Sequence, residues 1–498
     1  STILLNIGYF FMNLNSITFD NSYARLPKKF YANVNPTPVK NPNIIKLNTQ
    51  LADNLGIKLN NIDLEKFFSG NSLLEGSQPI AMAYAGHQFG HWVPQLGDGR
   101  AVLLGEIIDT NGCRRDIQLK GCGPTPFSRM GDGRAWLGPI LREYVLSEAM
   151  ENMGVPTTRA LSAISTGESV YREKEFPGAI LTRVAFSHVR VGTFQYFSAR
   201  QDLEGLKILA DYVINRHYQN CVNDKNPYLS LLKEVIKRQA LLVSKWMGIG
   251  FIHGVLNTDN TSIYGETIDY GPCAFMDEYS SNKVFSSIDQ TGRYAYKNQP
   301  EIVKWNLACF ASCLLPLIDE NEKQAISLAQ NVVDEFSDLY KSYWIKIFRN
   351  KLGLSKVYEN DQKLIDNLLN LMETDQTDFT LTFRGLSTLA NSNSLEFKKY
   401  FSNQNKINEW INNWRHRISQ EGKEKKDIAK LINSINPSYI PRNHRIEEII
   451  DKALEGDYSY FELLNKVLNK PYNDQNEYKN FQVPPDINQI VTQTFCGT

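Results

Sequence analysis

The feature that most limits what this 498-residue chain can become is a change of texture near residue 200. From about 84 to 197, short β-type runs are broken by glycine: "AVLLGEIID", "RRDIQLKG" and "GAILTRVAF" read as strands. One longer helix, "GPILREYVLSEAMENMG", interrupts them and ends at Gly154. Downstream, helical patterns dominate, from "LKILADYVINRHY" through "LLKEVIKRQALLVSKWMGIG" to "IEEIIDKALEGDYSYFELLNKVLN". This order specifies an α+β protein in which a small strand-rich part precedes a large helical one. Residues 12–80, rich in Asn and Pro with one helix near "LNTQLADNLGI", read as an extended wrap over the larger body.

Charge narrows the partners. Lys plus Arg equals Asp plus Glu at 54 each, so no net field selects nucleic acid or an anionic membrane, and neither is expected. Seven scattered cysteines without a CxxC pair disfavour a disulfide framework and a zinc site, and fit a reducing compartment. The opening "STILLNIGYFF" is too short to span a bilayer and lacks the basic start and cleavage site of a signal peptide. Met12 is therefore read as the natural start, and the protein as soluble and intracellular.

The densest chemistry is "HGVLNTDNTSIYGETIDYGP", residues 253–272. It resembles the catalytic and metal-binding loops of a protein kinase run together, but Val255 stands where His-Arg-Asp-x-x-x-x-Asn places its Asp. Eight residues separate Asn260 from Asp269, so a hairpin holds both near one point. Their oxygens suit a hard cation such as Mg²⁺, which keeps waters and bridges phosphates. Ordinary turn chemistry accounts for Asn-Thr-Asp-Asn equally well.

Lys120 ends the strand-like "DIQLK", where alternation sets Ile117 and Leu119 on one face and Asp116, Gln118 and Lys120 on the other. A buried Lys120 needs an acidic partner, and the helix that follows offers Glu143 and Glu148. That helix is apolar on both sides, so periodicity does not choose between them. "GDGR" occurs at 97–100 and at 131–134, two glycine turns rather than a repeat. Either turn lets backbone approach a phosphate, although a plain hairpin explains each alone. Arg183 and Arg190 flank "VAFSHV" with guanidinium forks that suit phosphate oxygens or a surface ion pair. His87 and His91 in "HQFGH" have i, i+4 spacing, but Gly86 and Gly90 disfavour a helix and no metal is expected there.

Taken in order, "YAGHQFGHWVPQLGDGRA", "IQLKGCGPTPFSRMGDGRA", "LREYVLSEAM", "PTTRAL", "HVRVGTFQYF", "HGVLNTDNTSIYGETIDYGPCAFMD" and "FSSIDQTGRYAYKNQP" resemble the selenoprotein O family of pseudokinase-fold enzymes. With the Cys-Gly-Thr end, the resemblance spans nearly the whole chain. It implies a protein-kinase-like two-lobed fold. Its parts are an N-terminal extension (1–83), a β-rich nucleotide-binding lobe (84–197), a helical lobe with the catalytic and metal loop (198–345) and a helical C-terminal extension (346–498). It also implies a protein adenylyltransferase that moves AMP from ATP to Ser, Thr or Tyr hydroxyls, with ATP reversed so that the α-phosphorus faces the acceptor.

By matching position, the resemblance assigns phosphate contacts to Arg100, Lys120, Arg183 and Arg190, and nucleotide-contacting turns to Gly97, Gly99, Asp132 and Gly133. It makes Glu143 the partner of Lys120 and Asp259 the acceptor of the hydroxyl proton. Asn260 and Asp269 become ligands of Mg²⁺ or Mn²⁺, Asp269 also facing the nucleotide. Animal members carry selenocysteine third from the end, the place of Cys496 here, and the resemblance suggests redox regulation with Cys273 as the candidate disulfide partner. The expected acceptors are proteins and the expected state is a monomer, cytoplasmic for a bacterial-type chain or mitochondrial for a eukaryotic one. The alternatives are uridylylation from UTP with Mn²⁺ and a nucleotide-binding scaffold. Val255 counts against phosphotransfer, and the joint presence of Lys120, Glu143, Asp259, Asn260 and Asp269 counts against a scaffold.

Overall fold

The computed structural model describes residues 17–393 and 395–495. Ten strands come first: β1 Tyr31–Asn33, β2 Asn43–Leu47, β3 Ile80–Met82, β4 Gly86–Gln88, β5 His91–Val93, β6 Ala101–Ile108, β7 Arg114–Lys120, β8 Ala135–Trp136, β9 Arg159–Tyr171 and β10 Glu175–Ala185. Eight of them form one antiparallel sheet in the order β1-β3-β6-β7-β10-β9-β2, with β8 paired to β10. The remaining two, β4 and β5, pair only with each other. "HQFGH" is therefore a hairpin and not a helix.

The N-terminal segment departs from the extended wrap expected of it. Over its described residues it supplies β1 and β3 to one side of the sheet and β2 to the opposite edge. Strands of three to five residues are too short to show a period among Asn and Pro, so their pairing comes from the sheet they join. Two short helices follow β2: α1 Thr49–Leu55, capped by the Asn48 side chain, and α2 Leu64–Ser69, capped by Asp63. They cover one face of the sheet, where Leu51, Phe67 and Phe68 pack with Ile117 and Leu119.

The other face carries α3, Leu137–Asn152, whose Ile140, Leu141 and Val145 share a core with Leu103 and Leu181. Beyond the sheet run α4 Val191–Ala199, α5 Leu203–His217, α6 Pro227–Ile249, α7 Gln299–Ile318 and α8 Glu322–Lys351. The long α6 begins with the Asn226 cap and Pro227 and stops at Gly250, whose φ of 72° ends it in the left-handed region. Helices from residue 361 to 468 follow, and those up to 432 build a second apolar cluster around Trp410, Trp414 and Phe383. Among the described residues, the segment Tyr296–Ile318 is long and apolar enough to cross a membrane by length and composition. Its Val303, Leu307, Phe310 and Leu314 are buried in the helical core.

Candidate active site

The sheet register brings the cations together. Lys120 sits at the end of β7 between Ala101 and Leu181, and Arg183 on β10 lies directly opposite Gln118 of β7. Residues opposite each other share a face, so Gln118, Lys120 and Arg183 all point away from the Ile117–Leu119 core. Gln118 Oε1 accepts two hydrogen bonds from Arg183, at 3.1 and 2.8 Å, and fixes its plane. Lys120 Nζ lies 2.6 Å from Glu143 Oε2 on α3, and Arg183 reaches Glu143 Oε1 at 3.2 Å. Glu148 faces elsewhere, holding Arg159 and Asn48, which settles what periodicity leaves open.

The loop 253–272 meets these cations from the helical side. His253 anchors it: its backbone N–H donates to Gln299 Oε1 at 3.0 Å and its Nε2 lies 2.8 Å from the Ile268 carbonyl. Asp269, with a left-handed φ of 62°, receives Arg183 on Oδ1 at 2.6 Å and Arg190 on Oδ2, with Lys120 at 3.7 Å. Three cations hold its carboxyl well below the usual range although desolvation opposes them. Arg190, the N-cap of α4, also donates to the Asp259 carbonyl at 2.7 Å and stacks over Tyr84. Burial pushes the Lys120 ammonium below its ordinary value, against the pull of Glu143.

Asp259 is set differently. It is 6 % exposed, Gln88 Nε2 donates to its Oδ2 at 3.1 Å, and its Oδ1 has no partner among the described residues. Desolvation lifts its pKa to about 6. Gly86 lies against it so closely that an added Cβ would stand 2.5 Å from Oδ1. Asn260 donates from Nδ2 to the Val255 carbonyl at 2.8 Å, and its amide oxygen has no donor among the described residues.

Two adjoining cavities result. The inner one, about 320 Å³, is lined by Arg100, Lys120, Glu143, Arg183, Arg190, Asp259, Asn260 and Asp269, with Gly99 at its edge. The outer one, about 890 Å³, takes Gly97, Asp132 and Gly133 and shares Gly99, Arg100 and Asp259. Gly133, φ 66°, is obligatory there, because a Cβ would lie 2.1 Å from the Gly123 carbonyl oxygen. Arg100 forms no ion pair among the described residues, while Asp132 on the outer rim is paired with Arg172 at 2.8 Å. Cys273 is buried outside both cavities with its thiol pushed up to about 12, and Cys496 lies outside the described residues.

Sequence reasoning missed Gln88, Tyr84 and Asp98, all lining the inner cavity. Asp98 is buried, accepts from the Met82 N–H at 2.9 Å and is lifted to about 6 by desolvation. Its signal was present in "GDGR", read only for glycine and arginine, just as "HQFGH" was read only for histidine.

The family model described as Protein adenylyltransferase SelO matches residues 13–469. Curated relatives called "Protein nucleotidyltransferase YdiU" are 54 % identical over 487 residues in Rhizobium rhizogenes strain K84 and 52 % identical over 490 residues in Rhizobium meliloti strain 1021. Each alignment covers 97 % of this chain, and 97 % and 100 % of the respective relative. The protein is thus an enzyme of the protein nucleotidyltransferase class, acting with a nucleotide on protein substrates. The chain belongs to the SelO family.

A divalent cation fits the loop by its donor chemistry. The Asn260 amide oxygen and the Asp269 carboxylate are hard donors lining the same inner cavity, and each Asp269 oxygen keeps a lone pair beyond its guanidinium contact. No group of three or more His, Cys, Asp or Glu side chains gathers for a metal among the described residues. The arrangement matches an ion held by few protein ligands and completed by water and substrate phosphates.

Proposed function

We propose that the protein transfers AMP from ATP to Ser, Thr or Tyr hydroxyls of proteins, in a cleft between a β-rich lobe (84–197) and a helical lobe (198–345) arranged as in a protein kinase. The observation that carries the reading is the pairing of a deep cation cluster with a buried, half-unpartnered carboxylate on one cavity wall. Lys120, Arg183 and Arg190 take the β- and γ-phosphates, so that the α-phosphorus faces Asp259. Asp259 accepts the hydroxyl proton as the acceptor oxygen bonds to the α-phosphorus. The bond to the bridging oxygen breaks, and pyrophosphate leaves with its charge met by the cations. When bound by Asn260 and Asp269, Mg²⁺ or Mn²⁺ neutralises phosphate charge.

The test uses α-labelled ATP, γ-labelled ATP and α-labelled UTP, each with Mg²⁺ or Mn²⁺. Protein labelled only from α-labelled ATP supports the reading. Label from the γ-position restores a kinase, label from UTP alone makes the enzyme a uridylyltransferase, and no label from any nucleotide makes it a scaffold.

The redox reading of Cys273 and Cys496 has one support. Thr494 Oγ1 donates to the Pro272 carbonyl at 2.5 Å and its N–H to the Phe285 carbonyl at 2.8 Å, which pins the tail beside Cys273. Oxidation by a small disulfide such as oxidised glutathione, which accepts the two electrons and two protons released, is expected to protect both thiols from alkylation. Unchanged labelling of both cysteines sinks that reading.

A further inference from the structure

The β4–β5 hairpin stands beside Asp259, and one of its edges is unused. Gln88 and His91 flank a two-residue turn and form a hydrogen-bonded pair, so His87 and Trp92 form the next, non-hydrogen-bonded pair. Backbone groups of such a pair face outward from the ribbon. On β4 the outward edge is occupied: the His87 N–H donates to Thr258 Oγ1 at 2.7 Å, and beyond it the Phe89 N–H donates to Asn257 Oδ1 at 3.0 Å. On β5 the Trp92 N–H and C=O have no partner among the described residues. Within the turn Gly90 takes its φ of 82° without cost, whereas Phe89 at φ 52° is a non-glycine residue in the left-handed region, a conformation that gathers at functional sites.

The surroundings of that edge suit a peptide. Trp92 is 39 % exposed and Trp305, on α7, 37 %, with the His87 ring between them at centroid distances of 4.9 and 5.2 Å. The Arg293 guanidinium lies 5.1 Å over Trp305 and packs on the Gly90 turn. It pairs with no carboxylate among the described residues, and its Nε is buried without a partner. The enzyme's acceptors are proteins, and Gln88 links this ribbon directly to the Asp259 carboxylate.

We infer that the β5 edge is the docking surface for the acceptor protein, which binds as an extended acidic segment. The segment adds to the ribbon at Trp92, lays an apolar or aromatic side chain on Trp92 and Trp305, and presents a carboxylate to Arg293. Its hydroxyl residue then reaches Asp259 past Gln88. The inference rests on the proposed function only for the role of Asp259.

The test uses the full chain with a degenerate peptide library around fixed Ser, Thr or Tyr, labelled in parallel from α-labelled ATP and α-labelled UTP. Hydrolysis to free mononucleotide gives a readout that does not require docking. The wild type is expected to select Asp or Glu at a fixed offset from the hydroxyl, and Arg293→Glu to exchange that for Lys or Arg. Trp92→Ala is expected to lower kcat/KM for the selected peptide about tenfold, with hydrolysis held within about twofold. Flat selection by the wild type, an acidic preference that survives Arg293→Glu, or equal loss of hydrolysis and peptide transfer in Trp92→Ala overturns the inference. Labelling from UTP alone refutes the ATP reading, while the flanking preference still decides the docking edge.

Discussion

Replacing Asp259 by Asn separates what the carboxylate does from what it costs. In the nucleotide-free protein its pKa stands at about 6 against an ordinary 3.8, because burial disfavours the charge more than Gln88 and Arg190 favour it. The folded state therefore holds this proton more tightly than the unfolded state. Below pH 3.8 both states are protonated and there is no penalty. Between 3.8 and 6 the unfolded state ionises first and stability falls, and above 6 the penalty is constant. Two units at about 1.4 kcal/mol each set an upper value of about 3 kcal/mol. Asp259→Asn is expected to be the more stable protein at pH 7 by up to that amount, with the gap closing near pH 4. Urea midpoints measured in EDTA at both pH values check this. The same variant loses the proton acceptor, so transfer should fall by a factor of about 10² to 10⁴ while nucleotide binding persists. A variant no more stable than wild type at pH 7, or one that transfers within about tenfold of it, refutes this account of Asp259.

Three further outcomes follow from the same geometry. Gly86→Ala places a Cβ 2.5 Å from Asp259 Oδ1, and the displacement should cost transfer about a hundredfold with the fold intact by circular dichroism. Glu143→Gln removes the carboxylate shared by Lys120 and Arg183; thermal midpoint and KM for the nucleotide should both worsen, since two buried cations are left to Asp269. Glu266 is buried, accepts among the described residues only from the Phe186 N–H at 3.0 Å and is lifted to about 8. Its ionisation costs stability progressively as pH rises from about 4.5 to about 8, so Glu266→Gln should flatten the wild-type decline in melting temperature over that window.

By itself the sequence determined a good deal. Alternation in "DIQLK" set Lys120 and Gln118 on the face opposite Ile117 and Leu119, and the glycine-broken runs gave β6, β7 and β10 in their chain order. In the loop 253–272 the spacing of Asn260 and Asp269 made candidate metal ligands legible because it is local, whereas Asp259 entered as candidate proton acceptor only through the family resemblance. Periodicity reports which face a residue occupies and not what lies across from it. The choice of Glu143 over Glu148 belonged to tertiary structure, because both helix faces are buried and only the sheet register decides which meets Lys120. Likewise Gln88 and Asp259, 171 residues apart in the chain, meet only after the hairpin folds onto the loop. The raised pKa of Asp259 has the same origin: desolvation is a property of the enclosing walls, and no local pattern of residues encodes it.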